Sequence, residues 1–286
     1  MSVANSVRTL ASDARMPPVT TWNRQFAGLL AVIPTVAILL VRVGANAPFG
    51  PRLPYATLYD PILTLAVIGP ATAAIVLGVT TPDDVRQVAL TFVGVFGLLS
   101  AVSSQAVVPA SIAIVVGTAL VLYTHARRPL SPDDVAETLV GVVFVGGVAL
   151  SMASGLGLEP ASTRPLGSTV GLLAMAGAPV FVEWRWRTVL VGVLAGVAMF
   201  AFGLAAPFVT GAASLVGGAI VGSSLPVLAL AVVGGGTVVA TGVDRRSLET
   251  VTGGLLVLTA GIPATVPRGL ALLVGLAVLL RTRTNT

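Results

Sequence analysis

Few residues in this chain have the type and spacing to do chemistry, and the clearest group is Ser223-Ser224-Leu225-Pro226. It lies within a glycine-rich stretch, residues 210–243, that holds Gly217, Gly218, Gly222 and the run Gly234-Gly235-Gly236. Proline and glycine interrupt or kink a helix. A helix broken inside a membrane frees backbone groups, which is tolerated only within protein or beside a water-filled cavity. Transporters use this device to bind solutes at mid-membrane. Ser223, Ser224 and Pro226 are therefore the candidate substrate-binding residues, with hydroxyls and freed backbone at the end of a half-helix. The competing reading is one long kinked helix packed closely on its neighbours through its glycines.

Two acidic pairs, Asp83-Asp84 and Asp133-Asp134, could be taken for metal or diphosphate ligands. Their context favours capping. Each follows a hydroxyl residue and a proline, Thr81-Pro82 and Ser131-Pro132. Thr81 and Ser131 are expected at the N-cap and the prolines at the first helical position. The aspartates then face the positive end of the helix dipole.

Other chemistries are short of parts. The chain has no cysteine and no lysine, since all sixteen basic residues are arginine. Thiolate sites and Schiff-base lysines are thereby excluded. A single histidine, His125, cannot build an H-E-x-x-H zinc site. It is expected in a solvated cytoplasmic loop beside Arg127 and Arg128. Asp60, Glu137, Glu183 and Glu249 all fall at the ends of apolar blocks, and Arg42 ends the first. No mid-membrane carboxylate is expected to relay protons, where such groups mark function. An enzyme acting on lipids would have to draw on Asp133, Asp134, Glu137 and His125, neighbours in the sequence. The expectation is a non-enzyme, with no catalytic residue, cofactor or metal.

The elements that position these residues follow from composition. Charged residues are 9% of the 286, hydrophobic residues 55%, and the mean hydropathy is +0.98. A soluble domain carries about 25% charged residues. The apolar residues come in blocks near the roughly 20 residues that cross a bilayer. Helices are predicted over 26–41, 61–79, 85–103, 106–123, 135–156, 167–182, 188–208, one crossing within 210–243, then 250–262 and 269–280. Pro34, Pro70 and Pro179 fall inside three of them and should introduce kinks. The fold class is thus all-α, a polytopic transmembrane bundle of about ten helices. A cytoplasmic segment, 1–25, precedes a helical domain, 26–280, and a tail, 281–286, follows. An Ala45-Asn46-Ala47 pattern after the first block resembles a signal-peptidase site. Pro48 directly behind it and the long lead in front favour a retained helix.

Arginine placement gives the orientation. With both termini in the cytoplasm, twelve arginines fall on the inner side and Arg42, Arg52, Arg164 and Arg268 on the outer, as the positive-inside rule prefers. Trp22, Trp184 and Trp186 fall at the inner boundary, where amphipathic rings collect. This distribution does not suit nucleic acid, and the expected partner is the lipid bilayer of the cell membrane. Two segments look alike, 81–130 and 131–187, each a helical hairpin opened by a hydroxyl-Pro-Asp-Asp motif and closed by arginines. A fainter third copy covers 243–283. The repeats would run parallel, as a row of hairpins. Two functions fit. One is a permease-like protein for a small neutral solute. The other is a non-catalytic membrane subunit that anchors partner proteins or further copies of itself.

Overall fold

The computed structural model describes residues 21–46, 55–126, 132–158, 163–205, 224–260 and 265–282. Among these the chain forms ten α-helices and no strand. They are α1 Thr21–Asn46, α2 Tyr55–Val79, α3 Asp84–Val102, α4 Val107–Ala126, α5 Pro132–Gly155, α6 Arg164–Ala176, α7 Trp186–Ala205, α8 Leu225–Asp244, α9 Leu248–Ala260 and α10 Val266–Thr282. Short 3-10 turns, Ser104–Ala106 and Ala178–Phe181, precede α4 and follow α6. Six helices, α2 to α5, α7 and α8, are long and apolar enough to cross a bilayer, and the other four contain shorter apolar stretches.

The helix starts and stops have local causes, and two differ from expectation. At α3 the N-cap is Asp83, not Thr81: an Asp83 side-chain oxygen accepts from the Arg86 backbone N–H at 2.8 Å. Thr81 is buried and Pro82 stands ahead of the helix. The aspartate wins because its carboxylate also gains from the helix dipole. At α5 the helix does begin at Pro132, while Ser131 lies outside the described residues. The helix expected over 167–182 stops at Ala176, and Pro179 lies in the 3-10 turn beyond it. Proline at that position would withhold one helical hydrogen bond and clash with the preceding turn. Elsewhere Pro34, Pro61 and Pro70 stay within helices.

Lipid tails are as apolar as leucine, so close approach of backbones must hold the bundle together. Small residues provide it. A Cβ on Gly147 would stand 2.9 Å from Gly171 Cα, and one on Gly167 would stand 2.9 Å from the Ser151 nitrogen. These two small-residue pairs, four apart on each helix, lock α5 antiparallel to α6. Gly69 has the same role beside Pro34. A Cβ there would come within 2.5 Å of the Leu30 carbonyl oxygen, the group that Pro34 leaves without its helical donor.

In order of contact, α1, α2, α3, α4, α5, α6, α8 and α9 form a closed ring, because α9 also packs on α1. α7 lies outside it against α8. α10 lies inside, touching α1, α2, α3, α4 and α9. Every residue from Gly269 to Leu280 is buried, on all sides of the helix. Arg86, on the first turn of α3, donates from Nη2 to the Ala277 carbonyl oxygen near the C-terminal end of α10. A cation there also meets the negative end of the helix dipole. This places the start of α3 and the end of α10 at one end of the bundle. The end of α8 is tied to the connection that leads into α7, at the same arginine-rich end, through Arg185–Asp244, 3.3 Å, and Arg245–Glu183, 2.9 Å.

Candidate functional site

The serine-proline group expected to bind substrate is only partly described. Ser223 lies outside the described residues. Ser224 is the exposed residue before α8, with extended backbone (φ −72°, ψ 144°) and no side-chain capping bond. Pro226 is exposed in the first turn. Of the surrounding glycines, Gly217, Gly218 and Gly222 also lie outside the described residues. The run Gly234-Gly235-Gly236 sits in an unbroken helix and faces three neighbours in turn. A Cβ on Gly234 would meet the Met175 carbonyl oxygen of α6 at 2.2 Å. On Gly235 it would meet Leu258 of α9 at 2.7 Å, and on Gly236 it would meet Gly192 of α7 at 3.5 Å. These three glycines serve packing.

A cavity of about 350 Å³ opens at the end of the bundle away from the paired arginines. Four ring helices contribute to it: Tyr59 from α2, Ser100 from α3, Ser111 from α4 and Met152 from α5. Thr265, Val266 and Pro267 close it at the start of α10. The Ser100 and Ser111 hydroxyls donate to carbonyl oxygens of their own helices, Gly97 at 2.7 Å and Val107 at 2.8 Å. Their lone pairs are left to face the cavity as acceptors. None of the residues lining it is acidic or basic. The cavity has the size and mixed lining of a small-molecule site.

The second feature corrects an expectation. His125 is not a solvated loop residue. It lies in the last turn of α4, its side chain 13% exposed, with Nε2 2.5 Å from Glu137 Oε2. Glu137, in the second turn of α5, is 2% exposed. The bundle therefore does bury ionisable side chains: Glu137, Arg86 and, near the start of α10, Arg268. The helix ends suit the pair, a carboxylate near an N-terminus and an imidazole near a C-terminus. His125 is the last residue but one of α4 and Glu137 the sixth of α5, on two antiparallel helices that follow one another in the chain. Beside the pair runs a groove of about 420 Å³ between α4 and α5. Asp133 and Asp134, the other members of the acidic cluster, belong to the first turn of α5. Among the described residues no group of three or more His, Asp or Glu side chains is placed to hold a metal ion.

Residues 24–280 match the DUF8068 family, described as an integral membrane family of unknown function. No curated protein and no solved structure matches the chain.

Proposed function

The chain belongs to the DUF8068 integral membrane family, and from that premise we propose that it is a permease-like protein for a small neutral solute. The observation that carries the reading is the 350 Å³ cavity at the start of the enclosed helix α10. Its hydroxyls, from Tyr59, Ser100, Ser111 and Thr265, suit a solute that exchanges hydrogen bonds. Its lack of charged lining suits a solute without net charge. In this reading the protein spans the cell membrane many times, with both termini cytoplasmic. The arginine-rich end faces inward, as the positive-inside rule prefers, and the cavity opens outward. Ser224 and Pro226, at the start of α8, add a second surface on that outer side, and Ser223 precedes them in the sequence. No chemical step is assigned, and so no catalytic residue, cofactor or metal.

The test is solute flux into liposomes holding the purified protein, with small neutral solutes such as glycerol and urea. The protein should carry at least one of them well above the rate of empty liposomes. Ser100→Phe, which puts a ring into the cavity from a half-buried position, should cut that flux at least tenfold. Ser223→Ala with Ser224→Ala should reduce it less. Flux no faster than in empty liposomes across the panel refutes the proposal.

One observation favours the membrane-subunit reading. α7 packs chiefly on α8 and leaves Val191, Leu194, Val197 and Phe202 exposed. A partner helix, or a second copy, would cover that face. Stoichiometric co-purification of another membrane protein under gentle solubilisation would favour it over the permease.

A further inference from the structure

We propose that the arginines where the chain enters α7 and leaves α8 form a binding surface for the headgroup of an anionic phospholipid. The inference does not depend on the permease reading, because the cavity lies at the opposite end of the bundle.

Three observations carry it. First, two stretches far apart in the chain are fastened into one cationic patch. Arg245 Nη2 donates to the Glu183 carboxylate at 2.9 Å and to the Glu183 carbonyl oxygen at 2.6 Å. Arg185 Nη1 donates to Asp244 Oδ2 at 3.3 Å. Arg187 and Arg246 stand beside these pairs in the chain. Both are exposed, and neither has an ion pair among the described residues. The Arg187 guanidinium lies 5.7 Å from the centre of the Trp186 ring. The acids of the patch are Glu183, Asp244 and Glu249, the last in the first turn of α9. Two of the three are already held by arginine, and the patch keeps a net positive charge.

Second, Arg246 occupies a position that favours glycine. The Ser247 N–H bonds the Gly242 carbonyl and the Arg246 N–H bonds the Val243 carbonyl. This pair of bonds closes a helix whose next residue is left-handed, and Arg246 has φ +53°. A residue held there against its own preference implies a use for its side chain. With no acidic partner among the described residues, that use lies outside the chain.

Third, the patch lies at headgroup depth. Trp186 is the first residue of α7 and Asp244 the last of α8, and both helices have 20 residues. Each is apolar enough to cross a bilayer. Twenty residues rise about 30 Å, the thickness of the hydrocarbon, so these ends stand at its boundary. Trp184 and Trp186, 54% and 68% exposed, have rings that collect at that level.

Depth and charge choose the partner. Phosphate is the anion that a membrane surface presents there, and a guanidinium can bind two of its oxygens at once. In phosphatidylcholine the headgroup's own cation balances the phosphate. In phosphatidylglycerol nothing does. With identical acyl chains the two lipids offer the helices the same tails and differ in net charge.

The experiment offers delipidated protein an equal mixture of the two lipids and counts retained molecules by native mass spectrometry. One arginine near an anionic surface contributes a factor of about five. The wild type is expected to retain phosphatidylglycerol over phosphatidylcholine by roughly tenfold or more. Arg187→Gln and Arg246→Gly should each lower the ratio about fivefold, and together they should bring it close to one. Arg246→Gly relieves the left-handed backbone, so its unfolding midpoint in lipid-free detergent should not fall. That separates a lost contact from a lost fold. Soluble glycerol phosphate, added in excess, should not displace the lipid. Equal retention by the wild type, or an unchanged ratio in either single variant, overturns the proposal. Displacement by glycerol phosphate overturns its assignment to a lipid.

Discussion

Three adjacent glycines make a graded test of how this bundle is held. Gly234, Gly235 and Gly236 point at α6, α9 and α7, and each is to be replaced by alanine in turn. The added methyl carbon of Gly234→Ala would lie 2.2 Å from a carbonyl oxygen and 2.6 Å from the Ala176 Cα, both backbone atoms. Ordinary contact begins near 3.4 Å, so α8 and α6 must part by roughly 1 Å along that line. Overpacking of this kind costs about 1–3 kcal/mol. Alanine's advantage in a helix, about 1 kcal/mol, offsets only part of it. Gly235→Ala meets the far end of the Leu258 side chain at 2.7 Å, which a rotamer change can relieve, so an intermediate cost is expected. Gly236→Ala meets its nearest atoms at 3.5 and 3.7 Å, ordinary contact, and should be neutral or slightly stabilising. The measurement is reversible unfolding in mixed micelles with increasing SDS, followed by circular dichroism. The expected order of stability is 236 above 235 above 234. An equal loss at Gly234 and Gly236 would refute close backbone packing as the purpose of the run.

Two further outcomes follow from the helix ends. Asp83→Ala removes the acceptor for the Arg86 N–H and should cost about 1 kcal/mol, seen as roughly fivefold faster hydrogen exchange at the first amides of α3. Arg246 holds φ +53°, the one non-glycine residue at positive φ among those described. The turn around it has paired bonds, Ser247 N–H to Gly242 O at 2.9 Å and Arg246 N–H to Val243 O at 3.1 Å. Gly157 fills the matching position after α5, at φ +72°. Left-handed backbone costs a side-chain-bearing residue about 1–2 kcal/mol. Arg246→Gly should therefore raise the unfolding midpoint in the same SDS titration, and a lowered midpoint would show that the arginine side chain outweighs the strain.

Helix positions were legible because a hydrocarbon slab demands apolar blocks of nearly fixed length. What each helix faces was much less so. α10 is apolar all round, the mark of a buried helix in a soluble protein. In a bilayer the exterior is as apolar as the interior, and that mark loses its meaning. The small-residue spacings, Gly147 with Ser151 and Gly167 with Gly171, were the better guide, because only contact with another backbone makes a missing side chain useful. Capping was read at α3 but placed two residues early, since Thr81 and Asp83 both have capping side chains and only the geometry chooses. His125 and Glu137 were grouped as neighbours in the sequence, with Asp133 and Asp134, but their burial as a pair was not foreseen. A glutamate at a helix end and a histidine near arginines both look solvated until the hairpin closes and turns them toward each other. Ser223, half of the candidate serine pair, lies outside the described residues.

The enclosure of α10 has a consequence for biosynthesis. The ribosome makes α1 to α4 long before the helix that they surround. Those four must enter the membrane and wait, associated loosely enough to admit a fifth element among them. The space they leave is meanwhile filled by lipid, which α10 must displace sideways as it arrives. A nascent chain stalled before residue 266 would thus be inserted and helical yet hollow, an accessible target for membrane quality control. The hydrogen bond from Arg86 to Ala277, spanning 191 residues, is among the last that such a chain can make, and its formation would mark the moment the bundle closes.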